Sequence, residues 1–151
     1  LEFRRVLFRS TDKTHTAALS CNHQQSSPSS TDQTLSLRDS RVKNEGMESI
    51  AALTNLTALD LDRTHVGDDG AQQLVRLRKL QRLSLWYTPI GDIGASYLSH
   101  LTDLTRLNLG FTKVTQNGLC YLSELTKLKS LELWGIQTPV NDQFESDLED
   151  E

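Results

Sequence analysis

The segment that decides the fold, residues 56–66, reads LTALDLDRTHV, and three later segments repeat its pattern. These are LQRLSLWYTPI at 80–90, LTRLNLGFTKV at 104–114 and LKSLELWGIQT at 128–138. Their first leucines, Leu56, Leu80, Leu104 and Leu128, lie 24 residues apart. A fixed period with an L-x-x-L-x-L core predicts a repeat architecture, in which each unit buries its apolar face against the next.

Each unit combines two periodicities. In the first half, Leu83 and Leu85 alternate with Ser84 and Trp86, which is typical of a strand with one buried side. In the second half, Gly94, Ala95, Leu98 and Leu101 follow the spacing of one helix face. The sequence therefore predicts one strand and one short helix in every unit.

The same frame extends on both sides of these segments. Projected backwards, it places Leu35 and Leu37 on inward strand positions and Gly46 at the start of a helical half. Four full units follow, at 32–55, 56–79, 80–103 and 104–127, and a fifth begins at Leu128 without finishing. We expect a repeat domain at 32–142, about four and a half units, whose last strand closes the solenoid.

The two ends of the chain differ from the repeats. Residues 1–31 are expected to be disordered or artefactual, because 11–31 are rich in Ser, Thr and Gln and 1–10 (LEFRRVLFRS) resemble translated adapter sequence. Residues 143–151 form an acidic tail, which holds much of the formal net charge of −4.

Three residue series mark the turn and the helix of each unit. Gly46, Gly70, Gly94 and Gly118 predict a close approach of the first helical turn to its neighbour. Ser40, Thr64, Thr88 and Thr112 predict hydroxyls that form hydrogen bonds to the neighbouring coil. Asp68 and Asp92 precede helices, where they are expected to accept from free N–H groups at the helix start.

The pattern L-x-x-L-x-L-x-x-T-x-[VI]-x-[DQ]-x-G-x3-L-x2-L resembles the leucine-rich repeat superfamily, and within it the ribonuclease-inhibitor-like forms. The Thr in place of the usual Asn, with the following D-x-G, is similar to repeats of F-box receptors and intracellular plant repeat proteins. The resemblance implies an α/β solenoid with a parallel sheet on the concave face and short helices on the convex face.

The composition makes several classes of function unexpected for this protein. No basic stripe is visible, so we expect no nucleic-acid partner, and no apolar run approaches the roughly 18 residues of a membrane span. The two cysteines, Cys21 and Cys120, form no disulfide framework, which favours a cytoplasmic location. We find no convergent catalytic or metal-binding group, and therefore expect a non-enzymatic protein without a cofactor.

The strand residues that point outward fall into columns about 4.8 Å apart from unit to unit. At the N-terminal end Arg38 faces Asp62 and Asp39 faces Arg63, so that end is expected to satisfy its own charges. At the other end, exposed aromatic residues with polar neighbours have the composition of a protein interface. The predicted partner-binding residues are Arg82, Trp86, Tyr87, Arg106, Asn108, Gly110, Phe111, Glu132 and Trp134.

Gly110 separates Trp86 from Trp134 in one column, which predicts a gap of roughly 9 to 10 Å for a side chain of the partner. Alternatively, both indoles lean over Gly110, or a further unit covers them.

Three functional hypotheses follow. The first is a non-catalytic module that binds a protein partner through the concave sheet face. The alternatives are the substrate-recognition fragment of a ubiquitin-ligase receptor of the F-box type, and the targeting region of a larger enzyme. Copies of the chain could also associate through the open ends of the solenoid.

Overall fold

The computed structural model describes residues 33–136, in which five short strands alternate with helices. The strands are β1 Gln33–Ser36, β2 Leu56–Asp60, β3 Arg82–Ser84, β4 Arg106–Asn108 and β5 Ser130–Glu132. The α-helices are α1 Met47–Ala51, α2 Asp68–Leu74, α3 Asp92–Leu98 and α4 Gln116–Tyr121, with 3-10 turns at Asn44–Gly46 and Leu122–Glu124. The predicted ends, 1–31 and 143–151, lie outside the described residues, as does the boundary at 142.

The five strands form one parallel sheet in the order β1-β2-β3-β4-β5. The Cα partners Leu59, Leu83, Leu107 and Leu131 continue one line of leucines across the sheet, so the register advances by one 24-residue unit per strand. Leu35 begins this line in β1, as the backward projection of the frame predicted. The α/β solenoid predicted from the period is therefore confirmed.

The core lies between the sheet and the helices. Strand leucines such as Leu59 and Leu83 are buried in one cluster with helix residues such as Leu74 and Leu98. Each buried aliphatic side chain contributes roughly 1.5–3 kcal/mol relative to its exposed state. Since every unit supplies the same positions, one continuous core runs along the solenoid, and the outward side of the sheet is left for other contacts.

The hydroxyl series closes the turn within each unit, which corrects the prediction of bonds to the neighbouring coil. Thr64 Oγ1 donates to the Leu61 carbonyl at 2.7 Å, and Thr88 and Thr112 donate to Leu85 and Leu109 at 2.6 and 2.7 Å. The acceptor is in each case the carbonyl three residues earlier in the same unit. Ser40 Oγ, the first hydroxyl of the series, is buried with no partner among the described groups.

The acidic series joins successive units, and here too the sequence prediction needs correction. Asp68 lies inside α2, and its Oδ1 accepts from Gly91 N at 2.7 Å and Gly94 N at 3.0 Å, both at the start of the next helix. Asp92 accepts from Thr115 N and Thr115 Oγ1, both at 2.7 Å. The carboxylates therefore cap the following helix rather than their own.

The glycines that follow this series leave room for the carboxylates. A methyl group on Gly94 would lie 2.6 Å from Asp68 Oδ1, and one on Gly118 would overlap the Asp92 carboxylate. At Gly70 it would lie 2.9 Å from Asn44 Oδ1 and 3.0 Å from Met47 Cγ of the preceding unit, as well as 2.7 Å from Val66 Cγ1 of its own unit. The predicted close approach is confirmed at these three positions; at Gly46, in the first unit, the nearest described atom would lie at an ordinary 3.5 Å.

The last described strand, β5, leaves the core partly uncovered. Leu131, which continues the buried leucine line, is 37% exposed, whereas Leu35 at the other end is buried. β5 is the last strand of the described sheet; that it closes the solenoid stays a prediction. Association of copies through this edge stays a prediction.

Replacing Asp92 should weaken the junction between the third and fourth units. Asp92→Ala leaves the Thr115 N–H and hydroxyl without their acceptor, so we expect a loss of about 1–3 kcal/mol in the free energy of unfolding. Asp69→Ala removes an exposed acid from the first turn of α2 and should change stability by less than about 0.5 kcal/mol. Urea unfolding at pH 7 compares the two variants, and equal effects would contradict the capping role.

The same junction should depend on pH. Hydrogen bonds from the Thr115 backbone and hydroxyl hold the pKa of Asp92 below its ordinary value of 3.8, against the opposing effect of burial. A carboxylate with a lowered pKa stabilises the fold above its unfolded pKa, and this contribution is lost as pH falls through the folded pKa. The difference in unfolding free energy between wild type and Asp92→Ala should therefore be constant from pH 7 to about pH 5 and shrink below about pH 3.8.

Candidate functional site

The outward side of the sheet carries the predicted columns in the predicted register. Arg82 pairs with Arg106, and Asn108 pairs with Glu132, as Cα partners on neighbouring strands. Beyond the strands, hydrogen bonds from Tyr87 N to Gly110 O at 2.9 Å and from Phe111 N to Trp134 O at 2.6 Å continue the ladder. The columns of Trp86 and of Tyr87 therefore keep their alignment as far as the fifth unit.

One column has an unusual backbone. Asp39, Arg63, Tyr87 and Phe111 have φ of 58, 53, 56 and 54°, and Gly135 continues the column at 68°. Each is the third residue of a tight turn; Thr112 N, for example, donates to Leu109 O at 3.3 Å. A turn with positive φ at this position favours glycine, and a bulky residue there costs roughly 1 kcal/mol or more. The solenoid thus holds two aromatic residues, Tyr87 and Phe111, with a left-handed backbone just after the strands.

Three of the predicted aromatic residues form one cluster. The ring of Trp86 lies 5.8 Å from that of Phe111, at 84°, and 5.8 Å from that of Tyr87, while Tyr87 and Phe111 are 6.5 Å apart. An edge-to-face pair such as Trp86 and Phe111 adds about 0.5–1.5 kcal/mol beyond its buried area. Tyr87 remains 62% exposed and Phe111 50% exposed, so the cluster presents apolar surface to solvent.

The gap predicted at Gly110 is filled by Trp86. A Cβ on Gly110 would lie 2.8 Å from Trp86 Cδ1 and 3.3 Å from the Trp134 carbonyl oxygen. The indole of Trp86 therefore leans over this glycine. The alternative interpretation, in which the indoles cover Gly110, is thus correct for Trp86. The prediction of an open gap is wrong because Trp86 turns toward the next unit instead of standing upright on its own strand.

Phe111 repeats this arrangement one unit later. A Cβ on Gly135 would lie 2.6 Å from Phe111 Cε1, so this ring covers the glycine of the fifth unit. Trp134 is 76% exposed, and within the described chain the ring pairs join only Trp86, Tyr87 and Phe111. Trp134 is thus a separate exposed indole beside the cluster.

Asp62 and Arg63 support the cluster, although the sequence did not indicate a role in it for either. Asp62 is buried, and its Oδ1 accepts from Trp86 N at 2.9 Å and from the Ser84 hydroxyl. The Arg63 guanidinium lies 4.8 Å from the centre of the Trp86 ring, a cation–π distance. The frame already placed both residues one unit before the aromatic positions, which is the signal that could have found them.

The charges at the N-terminal end pair with each other, as predicted. Arg38 Nη1 lies 3.6 Å from Asp62 Oδ2, and Arg63 Nη1 lies 3.5 Å from Asp39 Oδ1. Of these two pairs, only that of Arg63 and Asp39 is exposed on both sides, and such a pair contributes at most about 1 kcal/mol.

Asn108 and Glu132 form hydrogen bonds within the solenoid. Asn108 Nδ2 donates to Glu132 Oε2 at 2.8 Å, and Asn108 Oδ1 accepts from Gly110 N at 2.9 Å. Their place in the predicted binding set therefore has a structural component, because Asn108 also fixes the turn that carries Gly110 and Phe111.

Arg82 and Arg106 are the two exposed cations of the predicted set. They are Cα partners on β3 and β4, and no ion pair joins either of them to an acid within 33–136. Like charges directly opposite each other on neighbouring strands are unfavourable for the sheet.

Other chemical features are sparse in the part of the chain that the structure describes. Residues 33–136 contain no group of three or more His, Cys, Asp and Glu side chains that could hold a metal ion. His65 and His100 are exposed, and Cys120 is an exposed free thiol. Among the described helices, none has the length and apolar character that crossing a bilayer requires.

Comparison with known proteins supports the repeat assignment. A family model described as Leucine Rich repeat matches residues 52–75 and 76–99. A search of curated proteins found no match. The matched pair of repeats lies at the centre of the described sheet and includes Arg63, Arg82 and Trp86.

Solved structures with a similar fold include the leucine-rich repeat ectodomain of the plant membrane receptor kinase GASSHO1/SCHENGEN3 from Arabidopsis thaliana. It is 21% identical with a TM-score of 0.53, over 70% of this chain and 13% of that chain. Internalin C2 from Listeria monocytogenes is 23% identical with a TM-score of 0.50, over 70% of this chain and 53% of that chain. The chain thus spans only part of the length of each protein.

The described chain has the fold of a leucine-rich repeat solenoid, on the evidence of its 24-residue register and these shared folds, and residues 52–99 match the repeat family model. The narrower resemblance, to the Thr-containing repeats of F-box receptors and intracellular plant proteins, stays a prediction.

Gly110→Ala tests the contact between Trp86 and the fourth unit. The added methyl group would displace the indole, and overpacking of this kind costs about 1–3 kcal/mol in the free energy of unfolding. Gly46→Ala is the matched control, since its methyl group would make an ordinary contact and should be neutral or slightly stabilising. Chemical denaturation followed by tryptophan fluorescence reports both stability and the Trp86 environment; an unperturbed Gly110→Ala variant would contradict the contact.

Tyr87→Gly tests the left-handed column. Glycine removes the backbone cost of positive φ, and the lost tyrosine is mostly exposed, so stability should be unchanged or higher by about 1 kcal/mol. Tyr121→Gly, in α4, should instead lose about 1 kcal/mol, because glycine is unfavourable in a helix. Urea midpoints compare the variants, and a clear loss for Tyr87→Gly would show that the side chain stabilises the fold.

Proposed function

We propose that the chain is a non-catalytic protein-binding module that recognises its partner through the concave sheet face. The observation that carries this proposal is the aromatic cluster of Trp86, Tyr87 and Phe111, whose rings contact each other while two of them stay at least half exposed. Exposed aromatic clusters on a protein surface usually mark an interaction site.

The backbone of the cluster supports the proposal. Glycine would be the favourable residue at the positive-φ positions, yet Tyr87 and Phe111 occupy two of them. Strained positions of this kind are concentrated at functional sites, where the surrounding structure holds them. The turns therefore hold large rings at the edge of the sheet at a cost to the stability of the fold.

The surroundings of the cluster have the composition of an interface. Trp134 adds a second exposed aromatic group, and Arg82 and Arg106 supply donors on the neighbouring strand positions. Tryptophan, tyrosine and arginine are the residues that most often contribute the binding free energy of protein interfaces. We therefore place the centre of the interface at the aromatic residues and its polar rim at the arginines.

The fold is compatible with such a role. The Arabidopsis ectodomain with the similar fold was crystallised in complex with CASPARIAN STRIP INTEGRITY FACTOR 2. This example supports binding by a solenoid of this kind and identifies no partner of the present chain. We also propose that the protein works in an intracellular compartment, with which the exposed free thiol of Cys120 is compatible.

The test compares two full-length double variants as baits in affinity purification. Tyr87→Gly with Trp134→Ala removes the two most exposed aromatic side chains of the face, while Ile93→Ala with Tyr121→Ala removes exposed apolar side chains from the helical side. A partner that depends on the face should be retained by wild type and by the helical-side variant, and reduced at least ten-fold with the sheet-face variant.

Circular dichroism and urea unfolding of both double variants should match wild type within about 1 kcal/mol, so that loss of binding is not loss of fold. Partners retained equally by the two variants would place the interface elsewhere and overturn the proposal.

A further inference from the structure

The concave face has one local charge excess that its own side chains do not neutralise. Arg82 and Arg106 lie opposite each other on β3 and β4, about 4.8 Å apart at Cα, and both side chains are exposed. Between 33 and 136, no carboxylate forms an ion pair with either of them. Two adjacent guanidinium groups on a sheet favour an anionic group that can bridge them.

The other charged groups of the face have polar partners, which sets this pair apart. Asp60 accepts from Ser36 Oγ at 3.2 Å, and Asp62 holds Ser84 and Trp86. Asn108 donates to Glu132, and the arginines at the N-terminal end contact Asp39 and Asp62.

The chain contains a segment of complementary chemistry. Residues 142–151 read DQFESDLEDE, with six carboxylates, no basic residue and one aromatic residue, Phe144. The face presents the aromatic residues Trp86, Tyr87 and Phe111 four or five residues after the arginines, so a segment that runs antiparallel to the strands matches them with Phe144 followed by carboxylates. Four residues of extended chain span roughly 13 Å. With Phe144 at the aromatic cluster, the carboxylates of residues 145–151 therefore lie within reach of the arginines.

The connection is long enough. Ser130 is the Cα partner of Arg106, so the path from Ile136 back to Arg82 is at most about 20 Å along the strand and about 10 Å across it. The thirteen residues from Ile136 to Glu149 can extend to roughly 43 Å. A tether of this length gives the segment an effective concentration in the millimolar range, which makes weak electrostatic contacts sufficient.

We propose that the acidic segment 142–151 is an intramolecular ligand of the concave face, with its carboxylates on Arg82 and Arg106 and Phe144 at the aromatic cluster. Segment and external partner would then compete for the same surface. The inference uses the face of the proposed function, but it requires only this chain, so it can fail while the proposed function holds.

The experiment uses the full-length chain and a full-length variant with Asp142, Asp147 and Asp150 changed to Asn and Glu145, Glu149 and Glu151 changed to Gln. NMR of the arginine Nε–Hε groups reports each guanidinium separately. Neutralising the segment should shift the resonances of Arg82 and Arg106 and leave those of Arg76 and Arg78, which are exposed but lie outside the sheet, unchanged. Adding salt to about 1 M should move the wild-type resonances of Arg82 and Arg106 the same way, because exposed charges are then screened.

A reciprocal pair of variants reads the contact from the side of the segment. Arg82→Ala with Arg106→Ala should shift the Phe144 amide resonance, whereas Arg76→Ala with Arg78→Ala, an equal change of charge, should not.

Three results would overturn the proposal. Arg82 and Arg106 could be unmoved by neutralisation, or all four arginines could shift alike, which would indicate a general charge effect. The shifts could also change on tenfold dilution of the protein, which would place the segment on a second copy.

Discussion

The structure depends on a hydrogen-bonded contact between successive units. A polar side chain at the start of one helix accepts hydrogen bonds from the free backbone N–H groups at the start of the next helix. Asn44 Oδ1 accepts from Gly67 N at 2.8 Å, Asp68 from Gly91 and Gly94, and Asp92 from Thr115. The helices have only five to seven residues, too few to be stable alone. Since each helix start is completed by the unit before it, the period of 24 is held rigidly, and the outward residues line up in columns.

Because the columns are aligned, the sequence alone could predict which outward-facing residues lie side by side on the sheet. The frame alone placed Arg82 beside Arg106 and Tyr87 beside Phe111, and the sheet register confirms both pairs. The direction of hydrogen bonds was not predictable in the same way. An acid such as Asp68 is equally suited to its own helix and to the next one, and a hydroxyl such as Thr88 can reach either its own coil or its neighbour. The period gives the position of a side chain in the unit but not the unit that it contacts.

The positive φ angles of the candidate site could not be predicted from the sequence either. Arg63, Tyr87 and Phe111 are not typical of positive φ, and only Asp39 and Gly135, at the two ends of the column, are residues that favour it. The lean of Trp86 over Gly110 depends on side-chain torsions that alternation along a strand does not specify. What the sequence predicted correctly was which aromatic residues share a face; what it could not predict was that three of them form a cluster and Trp134 stays apart.

The central claim is that the rings of Tyr87 and Phe111, at the left-handed turns, contact a partner protein. Site-specific photocrosslinking tests it most directly, with a benzophenone analogue of phenylalanine placed at Tyr87 in one protein and at Tyr121, on the helical side, in another. The account predicts that an interacting protein from the native source crosslinks from position 87 and not from position 121. Crosslinking of the same protein from position 121 alone would contradict it.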